Sequence, residues 1–275
     1  FGYISYDVKN DVERISSHNF DGLDFADVYF FQPQKLFFIN QNTVEFQYLK
    51  MVDDEIDADF ENIQNSIKEV LDCTLTDSEE DNNIKIKLRI HKDEYHSKVN
   101  KVLEHIKRGD IYEANFCQEF YAENSTINPL KVYNHLNEIS TPPFATFLKM
   151  EHQYLLSASP ERYIKKEGNK IISQPIKGTA KRLISKIDDA KIASDLERDQ
   201  KERSENVMIV DLVRNDLSKT AKIGTVKVEE LCKVYSFKQV HQMISTVVSE
   251  IDEKTHPIDV LQSDWSSKGF CHENH

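Results

Sequence analysis

Between residues 142 and 174, three strand-forming segments follow one another without a helical pattern between them, and this limits the folds that the chain can adopt. Residues 142–150, 153–158 and 161–174 are rich in β-branched and aromatic residues and are separated by short polar turns. Glu167-Gly168-Asn169 supplies a hairpin turn inside the third segment. Strands joined by such short turns pair in the antiparallel sense. The sequence therefore predicts antiparallel hairpins through the middle of the chain.

Helical patterns lie between groups of strands. Apolar residues spaced by three or four predict helices at residues 56–73, 93–108, 129–138 and 187–217. Gly109 is expected to end the second of these helices. Strand patterns fill residues 1–50 and recur at residues 84–90, 110–122 and 225–231. Strand groups with helices between them favour an α+β arrangement of packed antiparallel sheets.

Composition excludes several classes of protein. A net charge of −12 argues against a nucleic-acid partner, because phosphate binding depends on clustered Lys and Arg. No run approaches the roughly 18 apolar residues of a membrane-spanning helix, so no membrane partner is expected. Cys73, Cys117, Cys232 and Cys271 lack C-x-x-C spacing, which predicts reduced thiols in a cytoplasmic protein. The sequence also lacks G-x-G-x-x-G and G-x-x-x-x-G-K, so a glycine-rich nucleotide site is not expected.

Charge runs and the two ends of the chain indicate how the chain divides into regions. The acidic runs at 53–61 and 76–83 are interpreted as solvated faces or a connecting segment. We expect a strand-rich N-terminal region with an acidic linker at 1–83, a catalytic region at 84–262 and an atypical tail at 263–275. Neither a secretion leader nor an initiating methionine opens the sequence, and both ends are interpreted as cut or altered.

Four short motifs carry side chains suited to catalysis or metal binding. They contain Glu161 in SPE, Lys177 in PIKGT, the pair Glu202 and Glu205, and His241 in VHQMIS. Each motif by itself also fits a common structural role. Glu161 suits a turn, Lys177 a solvated loop, the two glutamates a salt-bridged helix face, and His241 a packed strand. Separately, none of the four establishes a function.

Taken together and in this order, the motifs resemble those of the chorismate-utilising enzymes. GDIYE, SPE, PIKGT, KERSENVMIVDLVRNDL and VHQMIS match successive blocks of that family between residues 100 and 262. The resemblance is strongest to the synthase subunit of aminodeoxychorismate synthase, with anthranilate synthase component I as a relative. It implies an anthranilate-synthase-like α+β fold in which helices flank two packed, mostly antiparallel sheets.

The resemblance also implies a role for each matched residue. Glu202 and Glu205 would hold Mg²⁺, a hard ion that prefers oxygen ligands and would orient the ring carboxylate of chorismate. Glu161 would be the general acid at the departing ring hydroxyl, a role that requires a protonated carboxyl and hence burial. Gly178 and Thr179 would line the substrate, and His241 would assist proton movement.

Lys177 separates the reactions within the family. Members that form anthranilate, isochorismate or salicylate usually carry alanine there, whereas many aminodeoxychorismate synthases carry lysine. In those enzymes the amine attacks C2 of chorismate as the C4 hydroxyl leaves, and ammonia then adds at C4 and expels the lysine. The product, 4-amino-4-deoxychorismate, is a precursor of p-aminobenzoate and folate. The attack requires a neutral amine, which desolvation and nearby cations favour.

Two departures from the family pattern bear on activity. Glu113 stands where most members have glutamine and where isochorismate- and salicylate-forming members have lysine, which makes hydration at C2 less favourable. After residue 262 the family continues into a glycine-rich loop, a helix and a further glycine turn, which together carry the remaining Mg²⁺ carboxylates, whereas this chain ends in DWSSKGFCHENH. The resemblance therefore implies an incomplete site.

Three functions remain open at this point. The first is amination of chorismate at C4, with ammonia from a separate glutamine amidotransferase subunit. The second is anthranilate formation, which would release pyruvate. The third is a truncated, non-catalytic remnant that binds the amidotransferase partner.

Overall fold

The structure is a computed structural model that describes residues 1–12, 16–17, 19–72, 84–111 and 114–265. The chain separates into two compact units, Phe1–Asp81 and Asn82–His275. Each unit is built from helices and antiparallel strand pairs. The mixed α+β class predicted from the sequence is therefore confirmed.

The described residues of the first unit form two antiparallel strand pairs and two α-helices. Its elements are β1 (Gly2–Ile4), α1 (Lys9–Val12), β2 (Val28–Phe30), β3 (Lys35–Asn40), β4 (Thr43–Tyr48) and α2 (Ile56–Asp72). Strand β1 pairs with β2, and β3 pairs with β4. Short 3-10 helices at Tyr6–Val8 and Asp53–Glu55 precede the two α-helices. The helix predicted at 56–73 is confirmed as α2.

The second unit contains the four motifs. Its first elements are β5 (Lys87–Leu88), α3 (Lys92–Arg108), β6 (Phe120–Tyr121), α4 (Pro129–Ser140), β7 (Phe144–Met150), β8 (Gln153–Ser159) and β9 (Arg162–Glu167). The later elements are β10 (Lys170–Gln174), β11 (Ile176–Lys181), α5 (Lys186–Arg198), α6 (Gln200–Thr220), β12 (Lys227–Ser236), β13 (Val240–Glu250) and α7 (Pro257–Trp265). Gly109 ends α3 in the left-handed conformation with φ of 83°, as its position predicted.

Strand β13 organises the main sheet of the second unit. Along one side it pairs with β10 and then β11, which lie end to end, and along its other side it pairs with β12. Strand β9 extends the sheet beyond β10. Pro175, which has no N–H, lies at the junction of β10 and β11 and accepts a hydrogen bond from the Ser245 N–H at 3.2 Å.

Helix α6 packs on this sheet through an apolar stripe. Ile209, Val213 and Leu217 are spaced four residues apart, so they lie on one face of the helix, and they belong to one buried cluster with Val247 of β13. Val213, Leu217 and Val247 are fully buried. Burial of each such side chain stabilises the fold by about 1.5–3 kcal/mol. This packing fixes the position of α6, and therefore of its first turns, relative to β11 and β13.

The described residues form one five-stranded sheet and four two-stranded antiparallel pairs. The structure differs from the sequence predictions in two places. The strands predicted at 84–90 and 110–122 shorten to the two-residue pair β5 and β6, since ladder bonds form only where the partners run side by side. The helix predicted at 187–217 breaks at Asp199, whose extended backbone and side chain cap α6.

The cysteine and membrane predictions concern parts of the chain that the structure describes only incompletely. Cys117 and Cys232 are free thiols. Cys73 and Cys271, Glu113, the acidic run at 76–83 and residues 266–275 of the tail lie outside the described residues. Within the described ranges, every helix is too short or too polar to cross a membrane.

Candidate active site

Lys177 and Gly178 form a β-bulge in the pairing of β11 with β13. Ile176 lies opposite Ile244 and Thr179 opposite Gln242, so three steps along β11 match two along β13. Gly178 takes φ of 94°, a conformation that glycine adopts readily and other residues rarely do. Bulges redirect a side chain and are enriched next to active sites. The PIKGT motif therefore places Lys177 in a β-bulge, where the regular pairing of β11 with β13 is interrupted.

Glu161 approaches this bulge from the turn between β8 and β9. Its Oε1 accepts a hydrogen bond of 3.1 Å from the main-chain N–H of Ile176, the residue before Lys177. The glutamate is exposed, in contrast to the burial expected for a general acid. The bond nevertheless brings the SPE and PIKGT motifs together, although Glu161 and Ile176 are fifteen positions apart in the sequence.

Glu202 reaches the bulge from the first turn of α6. The helix begins at Gln200 because the Asp199 carboxylate accepts the N–H of Glu202 at 3.0 Å. A methyl group added at Gly178 would lie 3.2 Å from both Cβ and Oε2 of Glu202. It would also lie 3.3 Å from Cβ of Met243. Glycine at 178 therefore leaves room for the Glu202 carboxylate against the sheet.

Glu202 and Glu205 face the same cation. Nζ of Lys201 lies 3.8 Å from Oε1 of Glu202 and 3.5 Å from Oε1 of Glu205. Two carboxylates that converge on one positive charge form an oxygen donor set that suits Mg²⁺, which commonly takes one or two protein carboxylates together with water or substrate oxygens. Among the described residues, no group of three or more His, Cys, Asp or Glu gathers as a metal site. The pair therefore fits Mg²⁺ as a partial ligand set.

Asn206 ties these elements together, and the sequence analysis did not single it out. Its Nδ2 donates to the carbonyl oxygens of Lys177, at 3.3 Å, and Met243, at 3.2 Å. Its Oδ1 accepts from the Ser245 hydroxyl at 2.5 Å. The residue is 1% exposed. Its position directly after Glu205 in the KERSEN motif was the available signal.

His241 is buried beneath α5, with both ring nitrogens hydrogen-bonded. Its Nε2 lies 2.9 Å from Oδ1 of Asp189, and its Nδ1 lies 2.8 Å from Oγ of Ser236. Ala180 is paired with His241, and Thr179 with Gln242. Because neighbours along a strand point to opposite faces, the side chains of Thr179 and His241 lie on opposite faces of the sheet.

The structure thus brings most of the predicted residues to one place. Glu161 contacts Ile176 directly before the bulge, and Asn206 and Glu202 lie against Lys177 and Gly178 of the bulge itself. His241 lies on the same face of β13 as Met243, about 7 Å further along the strand. Thr179 is exposed on the other face.

Comparison with protein families identifies the class to which this site belongs. Residues 1–264 match the family described as chorismate binding enzyme. The chain therefore belongs to the chorismate binding enzyme family.

Individual relatives divide between two kinds of synthase. The chain is 39% identical over 172 residues to aminodeoxychorismate synthase component 1 of Escherichia coli K12, a match covering 62% of this chain and 38% of that protein. It is 29% identical over 270 residues to an anthranilate synthase component I-like protein of Synechocystis, a match covering 95% of this chain and 53% of that protein. The chain therefore spans about half or less of the length of these relatives.

A solved structure supports the fold. Anthranilate synthase component I from Streptococcus pneumoniae matches 95% of this chain and 59% of its own chain, with a TM-score of 0.78 and 23% identity. At this identity the match concerns the fold alone, and it confirms the anthranilate-synthase-like architecture expected from the motifs.

Proposed function

We propose that this chain aminates chorismate at C4 to give 4-amino-4-deoxychorismate, a precursor of p-aminobenzoate and folate. The observation that carries the proposal is the convergence of Glu161 and Glu202 on the bulge that contains Lys177. The 39% identity to aminodeoxychorismate synthase component 1 supports the same reaction. A cytoplasmic location, and a separate glutamine amidotransferase that supplies ammonia, belong to this proposal, as does a catalytic region at 84–262.

The proposed chemistry begins at Lys177. Its neutral amine forms a bond to C2 of chorismate, the ring double bonds shift, and the C4–O bond breaks. Glu161 donates a proton to the departing hydroxyl, which leaves as water, and the amine loses a proton once it is bonded. Ammonia then bonds to C4, the double bonds shift back, and the C2–N bond to Lys177 breaks. The enolpyruvyl group remains on the product throughout.

The remaining residues hold the reactants. Mg²⁺, when bound, would neutralise the ring carboxylate of chorismate, and Glu202 and Glu205 are the residues that would hold it. Gly178 allows the Glu202 carboxylate to lie against the main chain of residue 178, the residue after Lys177. Asn206 fixes the Lys177 carbonyl to α6, so the lysine and the glutamates keep one relative position. In this proposal Gly178 lines the substrate together with the main chain of Thr179, whose side chain lies on the other face of the sheet, and His241 assists proton movement.

The test of the lysine mechanism is a product and adduct assay. The protein is incubated with chorismate, ammonium and Mg²⁺, and products and intact protein mass are measured by mass spectrometry. We expect aminodeoxychorismate without pyruvate and, when ammonium is omitted, a protein adduct of chorismate less one water at Lys177. Lys177→Ala should remove the adduct, whereas Lys181→Ala, an exposed lysine on the same strand, should keep it. An adduct that survives Lys177→Ala would falsify the lysine mechanism.

The metal proposal is tested by direct Mg²⁺ binding. Glu202→Gln and Glu205→Gln should each weaken Mg²⁺ affinity by at least tenfold in calorimetry, because each removes one negative oxygen ligand. Asp211→Asn makes the same charge change on an exposed part of α6 and should leave affinity unchanged. Equal affinity in all three variants would exclude this pair as the Mg²⁺ site.

Anthranilate formation is the second candidate. It is favoured by the extent of the match, since the anthranilate synthase-like relative matches 95% of the chain and the aminodeoxychorismate synthase matches 62%. The same assay separates the two, because anthranilate formation releases pyruvate. Anthranilate with an equal amount of pyruvate would establish this candidate and overturn the amination.

A further inference from the structure

Asp189 is hydrogen-bonded to His241, Arg182 and the main-chain N–H of Leu183. Arg182 Nε lies 3.0 Å from each Asp189 carboxylate oxygen, and Nη2 of the same arginine lies 2.8 Å from Oδ2. The Leu183 N–H donates to Oδ1 at 2.8 Å, and Nε2 of His241 lies 2.9 Å from the same oxygen. The side chain of Asp189 is 12% exposed.

These contacts keep Asp189 ionised. The pKa of Asp189 is held well below its ordinary value, first by the hydrogen bond from Arg182, then by the Leu183 N–H, and also by the bond to His241. An ionised carboxylate only accepts hydrogen bonds, so Nε2 of His241 must carry the proton in their shared bond. In the neutral ring, Nδ1 is then the unprotonated nitrogen.

Ser236 is the group that faces this second nitrogen. Its hydroxyl lies 2.8 Å from Nδ1, and the residue is exposed whereas His241 is 1% exposed. The two residues are a directly opposed pair of β12 and β13, so the sheet fixes their separation. Arg182 also donates to the carbonyl oxygen of Phe237, the residue after Ser236. Arg182 therefore holds both Asp189 and the main chain next to Ser236.

We propose that Asp189 is a positioning residue for His241, and that Ser236 carries protons between the buried ring and the accessible surface. Asp189 fixes the proton on Nε2, which leaves Nδ1 as the nitrogen that accepts or releases a proton. In the uptake direction the Ser236 hydroxyl passes its proton to Nδ1 and takes one from a group on the exposed side. One proton moves, the ring becomes cationic, and Asp189 remains ionised and stabilises it. The inference rests on the proposed role of His241 in the amination.

The ring tautomer of His241 is measured by nitrogen NMR of the full chain labelled at histidine. His241→Gln identifies the signals of this residue among the ten histidines. We expect the neutral ring in the native protein to carry its proton on Nε2, and a population with the proton on Nδ1 to appear in Asp189→Asn. Ser236→Ala, which keeps the Asp189 bond, should retain the native tautomer. A native ring protonated on Nδ1, or an Asp189→Asn ring with the native tautomer alone, would overturn the positioning role.

Kinetics tests the consequence for the reaction. Asp189→Asn should lower kcat by about 100-fold with little change in KM, since general acid–base groups contribute about that much or more. In the His241→Gln background the same change should have little further effect. Asp188→Asn, the adjacent exposed aspartate on α5, should leave kcat unchanged. A fully active His241→Gln would remove His241 from the proposed function, while the tautomer measurement, which needs no turnover, still decides the role of Asp189.

Discussion

Gly178→Ala is the substitution that most directly tests the geometry of the bulge. The native φ of 94° is unfavourable for alanine, which costs about 1–2 kcal/mol. The new methyl group would also lie 3.2 Å from Cβ and Oε2 of Glu202 and 3.3 Å from Cβ of Met243. These separations are shorter than the 3.5–4.0 Å optimum, and relief of such overpacking costs about 1–3 kcal/mol. The expected loss of unfolding free energy is therefore about 2–5 kcal/mol.

Gly224→Ala is the matched control. Gly224 has φ of 78°, also in the left-handed region, but a methyl group there meets no atom within 4 Å. Gly224→Ala should therefore lower the free energy of unfolding only by the cost of the left-handed backbone conformation, about 1–2 kcal/mol. The difference between the two variants isolates the contacts with Glu202 and Met243.

Urea denaturation of both variants gives the two free energies, and Mg²⁺ calorimetry gives the effect on the proposed ligands. We expect Gly178→Ala to be less stable than Gly224→Ala by about 1–3 kcal/mol and to bind Mg²⁺ more weakly, because Glu202 must move. Equal stability losses and equal Mg²⁺ affinities would refute the conclusion that Gly178 is needed for the approach of Glu202.

Two further substitutions test the support of the site. Asn206→Ala should lower the unfolding free energy by about 2–4 kcal/mol in urea denaturation, since the buried carbonyls of Lys177 and Met243 lose their shared donor; Asn215→Ala, exposed on the same helix, should change it little. Asp189 has a lowered pKa in the folded state, so it stabilises the fold above its ordinary pKa of 3.8, and that stabilisation is lost as pH falls toward the folded value. The stability difference between the native protein and Asp189→Asn should therefore shrink below about pH 4 in pH-dependent unfolding, and a constant difference would contradict this linkage.

Local patterns in the sequence predicted the helices and strands well, but they did not predict where these elements break or bulge. Regular apolar spacing and Gly109 were sufficient for α3, because spacing and a glycine stop are properties of neighbouring residues. The break at Asp199 was missed because the apolar spacing continues across it, and only the cap shows where α6 begins. The bulge at Lys177 and Gly178 was missed for a different reason. It depends on the register against β13, which is more than sixty residues further along the chain.

The residues of the candidate site were likewise predicted where a sequence motif marks them and missed where only tertiary contacts place them. The motifs indicated Glu161, Lys177, Glu202 and Glu205 because the family resemblance assigns them roles. The groups that position them are set by tertiary contacts between distant residues, as in the pair of Asp189 and His241, 52 residues apart. A single aspartate in the first turn of a predicted helix is usually a capping or dipole-stabilising residue. Its sequence position therefore gave no sign that it faces a buried histidine.

The contacts at the bulge also bear on how one fold can serve several reactions. Asn206 binds the main-chain carbonyl of residue 177, a group that any amino acid at that position supplies. The conformational demand falls on Gly178, and the contact from Glu161 is made to the N–H of Ile176. The scaffold thus holds position 177 through backbone groups and through its neighbours. Lys177→Ala should therefore remove the proposed nucleophile and leave these backbone contacts in place, so a lost adduct in that variant reports on the amine and not on the scaffold.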